Sequence, residues 1–103
     1  MSKLWLTQQH FSILQDILAD CPHEVLLFGS RATGKQQPFS DLDICLKGTK
    51  IIPLSYISLL KTKFTESNFP FMVDVIDYNA ISSAFREIVD KTSVPFNQCK
   101  PAL

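Results

Sequence analysis

Three short apolar runs, set among stretches of helical periodicity, constrain this chain more than any other feature. Val25 to Phe28 is continuous and stops at Gly29, which reads as a buried strand. Asp41 to Leu46 alternates between acid-or-cysteine and aliphatic residues, the period of a second strand. Phe71 to Ile76 is a third. Around them, Phe11, Leu14, Ile17 and Leu18 form one helical stripe between about Thr7 and Asp20, ended by Cys21-Pro22-His23. Pro53 suits the first turn of a helix to about Ser67 with Leu54, Ile57, Leu60 and Phe64 inward. A last helix over roughly Ser82 to Lys91 carries Ala84, Phe85, Ile88 and Val89. Ser30 to Ser40 reads as a loop with one helical turn. The alternation predicts an α/β fold: a small mixed sheet of about three strands with helices packed on one face. At 103 residues, 1–103 is expected to be one domain.

Charge and composition exclude several classes. Ten acids balance ten bases, so no general field exists to hold duplex nucleic acid. The apolar runs are far shorter than the ~20 residues that span a bilayer, and Thr7 to His10 break up any leader-like stretch. Cys21, Cys45 and Cys99 form an odd set without a C-x-x-C pair, which suits a reducing compartment; a cytoplasmic protein is expected. No spacing among His10, Cys21, His23 and Cys99 matches a zinc finger.

The chemistry concentrates in the acids. On a strand, Asp41 and Asp43 share one face with Cys45, while Leu42, Ile44 and Leu46 turn inward. Two carboxylates so close repel, and a divalent cation resolves that conflict with the oxygen ligands it prefers. The plainer reading is two solvated acids. Asp74, in an otherwise apolar strand, is expected to be buried and to need a cation or hydrogen-bond partner. If its strand lies beside the second, three carboxylates can hold two metals about 4 Å apart. Asp77 reads as the cap of the following turn.

The loop after the first strand supplies the other half. Gly29 lets the backbone approach a ligand, and the Ser30 hydroxyl with successive N–H groups can cradle phosphate, with Arg31 and Lys35 close behind. Read as structure, Gly29-Ser30 is a strand-ending turn. Gly29 to Lys35 also fits the first seven P-loop positions, but Gln36 replaces the Ser or Thr that binds Mg²⁺, and Pro38 breaks the helix a P-loop opens.

Gly29-Ser30, ten residues, then Asp41-Leu42-Asp43, with Asp74 on a later apolar strand, resembles the nucleotidyltransferase superfamily related to DNA polymerase beta. The Gly29-Ser30-Arg31-Ala32 opening and small size are similar to its minimal members, the MNT domains, over about Val25 to Asp77. The resemblance implies a nucleotidyltransferase fold and in-line attack of an acceptor hydroxyl on an α-phosphorus. In it Asp41 and Asp43 bind two Mg²⁺ ions, Asp74 binds the one nearest the acceptor, and Gly29 and Ser30 hold the phosphates of ATP or another nucleoside triphosphate. The family often has arginine before the loop's second glycine; here Thr33 stands there, which leaves phosphate contact to Arg31. Such proteins are commonly paired with a HEPN-domain ribonuclease toxin, on which they act as antitoxins by attaching AMP to a tyrosine.

Two other functions compete with a transferase acting on a protein. An aminoglycoside-type enzyme would need an acceptor-binding domain that 103 residues do not accommodate. A silent module that blocks its partner by occlusion would not need the acids. Leu4-Trp5-Leu6 and Val94-Pro95-Phe96, apolar and outside the predicted elements, offer either a docking surface or packing onto the core.

Overall fold

The computed structural model describes residues 2–103. Its central layer is a four-stranded sheet of order β4-β3-β2-β5, made of β2 (Glu24–Phe28), β3 (Leu42–Lys47), β4 (Val73–Asp77) and β5 (Val94–Pro95). β2 runs antiparallel to both β3 and β5, and β3 runs parallel to β4, so the sheet is mixed. A separate parallel pair joins β1 (Ser2–Leu4) to β6 (Cys99–Pro101). The α/β class and mixed sheet agree with the sequence pattern. The strand number does not, because β1, β5 and β6 have two or three residues and present no run long enough to show a period.

Alternation along the strands separates two faces. Leu42, Ile44 and Leu46 of β3 join Leu27 of β2 and Val75 of β4 in the main core. Onto them pack α1 (Gln8–Leu18), through Phe11, Leu14 and Leu18, and α3 (Leu54–Thr65), through Ile57, Leu60 and Phe64. Thr7 caps α1, its hydroxyl accepting from the His10 N–H at 3.2 Å. Leu54, expected inward, is 81% exposed: it opens the helix after Pro53 and lies before the first inward turn.

Helices do not lie on one face only. α4 (Ser83–Thr92) covers part of the opposite face, where Leu26, Phe28, Cys45 and Val89 form a second, smaller cluster. Ser82 caps it through its hydroxyl, accepting from the Phe85 N–H at 3.2 Å. Only Val89 of its expected core stripe is buried; Phe85 and Ile88 keep substantial exposure. Leu4 and Leu6 are fully buried in the main core, and Val94 and Pro95 form β5. Of the two readings offered for these segments, packing onto the core holds for Leu4, Leu6, Val94 and Phe96. Among the described residues, no helix is long and apolar enough to cross a membrane.

Candidate active site

The short strand β2 is followed by Gly29, whose φ of 77° and ψ of −164° favour glycine strongly. A Cβ there would also overlap the Asp43 carboxylate. Both facts have one cause: the turn passes directly over the acid on the neighbouring strand, where Phe28 pairs with Asp43. α2 (Ser30–Thr33) begins at once, and no side chain caps its first turn. The Ser30 to Ser40 loop thus contains its single helical turn, and it is four residues long instead of the helix a P-loop opens.

Register assembles the acids. Asp43 on β3 pairs with Asp74 on β4, placing both carboxylates on one face of adjacent strands, roughly 4.8 Å apart in the pairing direction. Asp41 immediately precedes β3 and is exposed. Burial raises the pKa of Asp43 above the usual carboxylate value, and the charges of Asp74 and Asp41 push it further the same way. That repulsion is the signature of an acidic cluster. Asp74 itself is exposed, contrary to the burial expected from its apolar run. β4 is an edge strand, and only Val73, Val75 and Asp77 face the main core. Asp74 therefore needs no hydrogen-bond partner in order to be tolerated.

The buried acid of β4 is Asp77. Its Oδ2 accepts from the Ile52 N–H at 2.7 Å and its Oδ1 from the Asn79 N–H at 3.0 Å. The second bond is the turn cap expected of it; the first ties the loop before α3 to the strand. Asp77 is structural.

Arg31 takes a different place from the one predicted. Its side chain is 2% exposed, among the most buried in the protein. Nε donates to the Ser40 carbonyl at 2.9 Å, Nη1 to Trp5 at 2.9 Å and Nη2 to Pro38 at 3.2 Å. The guanidinium lies 3.7 Å from the centre of the Phe71 ring. Burial lowers its pKa from the usual arginine value, yet arginine remains charged in proteins. The guanidinium is thus engaged by three carbonyls and an aromatic ring within the fold, where the sequence pattern led to the expectation of a phosphate contact.

A cleft of about 630 Å³ opens beside the acids, lined by Asp41, Asp43 and Asp74 and, from α3 and the approach to β4, by Lys61, Phe69 and Met72. Sequence reading missed Lys61 and Met72. Both are exposed residues on otherwise ordinary elements, and only the chain crossing brings them to the acids. Phe85 of α4 stands edge-on to Phe28, the residue before Gly29, at 6.0 Å.

As arranged, no three His, Cys, Asp or Glu side chains among the described residues converge closely enough to enclose a metal ion. The donors nevertheless fit a divalent cation of the Mg²⁺ type. They are hard carboxylate oxygens, they repel one another, and two of them are open to solvent for a cation that keeps its own waters.

Residues 13–98 match the family described as Polymerase beta, Nucleotidyltransferase. The probable protein adenylyltransferase MntA of Haemophilus influenzae is 39% identical over 85 residues, covering 81% of this chain and 71% of that protein. A toxin–antitoxin crystal structure with AMP-PNP shares the fold at a TM-score of 0.70 and 24% identity, over 84% of this chain and 71% of its own. A tri-AMPylated Shewanella oneidensis HEPN toxin in complex with its MNT antitoxin gives 0.64 at 20% identity, over 88% and 71%.

Proposed function

This chain belongs to the polymerase beta nucleotidyltransferase family, in which its relative is an MntA-type protein, and we propose that it transfers AMP from ATP to a hydroxyl of a HEPN-type toxin. The observation that carries the reading is the stacking of its parts on one sheet end. The Gly29-Ser30 turn lies over Asp43, and Asp43 pairs with Asp74.

Asp41, Asp43 and Asp74 are the residues that would hold two Mg²⁺ ions. Bound there, the metal neutralises phosphate charge and makes the acceptor hydroxyl more acidic. The Gly29 backbone and the Ser30 hydroxyl hold the β- and γ-phosphates beside Asp43. Asp74, on the edge strand and lining the cleft, marks the side from which the acceptor enters. The acceptor oxygen bonds to the α-phosphorus, the bond to the bridging oxygen breaks, and pyrophosphate leaves. The hydroxyl proton passes to water, which the open cleft admits. Catalysis of this kind rests on positioning and electrostatics, and no covalent nucleophile is required.

The cleft has one wall of exposed strand edge, with Met72 76% exposed, so a second protein is suited to completing it. The test incubates the chain with α-labelled ATP and Mg²⁺, alone and with a HEPN protein encoded beside it. Label on the partner that disappears in Asp41→Asn/Asp43→Asn supports the reading. Label on an added aminoglycoside with none on the partner favours the small-molecule enzyme, and partner inhibition without any label favours occlusion.

A further inference from the structure

Arg31 joins the turn after β2, the loop before Asp41 and the approach to β4. Its own backbone belongs to α2, one residue beyond Ser30. Its Nε holds the carbonyl of Ser40, the residue before Asp41. Its guanidinium stacks on Phe71, three residues before Asp74. It is bonded twice to Trp5: Nη1 donates to the Trp5 carbonyl, and the Trp5 N–H donates to the Arg31 carbonyl at 2.8 Å. The loop it spans is otherwise held locally, by the Gln37 N–H donating to the Ser40 hydroxyl at 2.7 Å and the Ser40 N–H to the Gln37 carbonyl at 3.1 Å.

We infer that Arg31 is a positioning residue, which sets the separation between the phosphate turn and the carboxylates from beneath without touching substrate. The inference rests on the transferase reading for its consequence in catalysis, but not for the clamp itself. The chemistry requires arginine. Three carbonyls diverging around one buried point are met by a planar fork of donors, and the flat face of that fork lies on an aromatic ring. Lysine offers a compact charge that cannot meet the three carbonyls in their plane and stack at once. An unmet buried carbonyl destabilises its segment, and the segment freed here leads directly into Asp41. A displacement of about 1 Å at a reacting centre can lower a rate about a hundredfold.

The experiment compares the wild-type chain with Arg31→Lys and Arg31→Met. Amide exchange over residues 35–41 and the emission of Trp5, the single tryptophan, read the clamp without any activity. Faster exchange of that segment, at least tenfold, and a shifted Trp5 emission in a folded Arg31→Lys chain are expected. The transfer rate at saturating ATP should fall tenfold to a hundredfold, while ATP affinity changes less than about threefold. Unchanged exchange and emission in folded Arg31→Lys overturn the clamp. Lost ATP affinity with an unchanged saturating rate overturns it in favour of direct phosphate contact. A lowered melting temperature with rate and affinity both unchanged reduces Arg31 to general stability and also overturns it. If Arg31→Met fails to fold, Arg31→Lys decides alone. A wild-type chain that transfers nothing speaks against the transferase reading, and the exchange and emission results still judge the clamp.

Discussion

Asp43 on β3 stands directly across from Asp74 on β4, in a parallel register that puts two carboxylates on the same face. Burial and the neighbouring charges of Asp74 and Asp41 raise the Asp43 pKa in the folded chain. A raised carboxyl pKa means that the folded state holds its proton more tightly than the unfolded one. This contribution to stability is therefore largest below the unfolded pKa and declines as pH rises through the folded value. Without metal, Asp43→Asn should melt higher than wild type at pH 7, and the difference should shrink on acidification to pH 3. Thermal melts in a chelating buffer check this; a lower melting temperature for the variant at pH 7 refutes it. Added Mg²⁺ or Mn²⁺ should raise the melting temperature of wild type and not of Asp41→Asn/Asp43→Asn.

Gly29→Ala should damage both stability and chemistry. The methyl group meets the Asp43 carboxylate, and the positive φ is strained for any side chain. Strain of that kind costs about 1–3 kcal/mol. Denaturant unfolding should show a loss in this range, and calorimetry should show weakened Mn²⁺ binding because Asp43 must move.

Ser30→Ala should leave the melting temperature nearly unchanged, since Ser30 is half-buried at the mouth of the sheet and outside both apolar clusters. A hydrogen bond to a charged phosphate contributes about 1.5–3 kcal/mol, so ATP affinity should fall roughly tenfold to a hundredfold. Calorimetric titration measures it. Full affinity with reduced stability would make the Gly29-Ser30 turn purely structural.

The thiols should separate cleanly. Burial pushes Cys45 and Cys99 each up to about 11, while Cys21 is half-exposed. The Cys99 thiol also donates to the Pro95 carbonyl at 3.2 Å. A disulfide reagent at pH 8 should modify Cys21 quickly in the native chain and the other two only after unfolding, as mass spectrometry would count.

What the sequence made legible were features of period and spacing. The inward Leu42, Ile44 and Leu46 against the outward Asp41 and Asp43 follow from strand alternation alone. The three main strands and the helices begun near Thr7 and Ser82 lie in local patterns too. Asp74 was misjudged in burial because an apolar run of six cannot reveal that its strand lies at the sheet edge. The phosphate role expected of Arg31 follows from Thr33 standing where the family has arginine; the carbonyls that hold Arg31 are backbone groups, which have no sequence signature at all. Leu4 and Leu6 found the core through a strand of three residues paired with a segment nearly a chain-length away.

That pairing has a temporal meaning. The β2–β3 contacts are local and can close early, whereas β1 waits for Cys99–Pro101, with Ala102 and Leu103 donating to the Leu4 and Leu6 carbonyls at 3.0 and 3.1 Å. Contacts between such distant residues close slowly, because the intervening loop must first be ordered. Trp5 immediately follows β1 and anchors Arg31, so the loop leading to Asp41 settles only when the two outermost strands meet. On the ribosome, a growing chain would carry its acids and glycine turn long before Cys99–Pro101 emerges to let it align them.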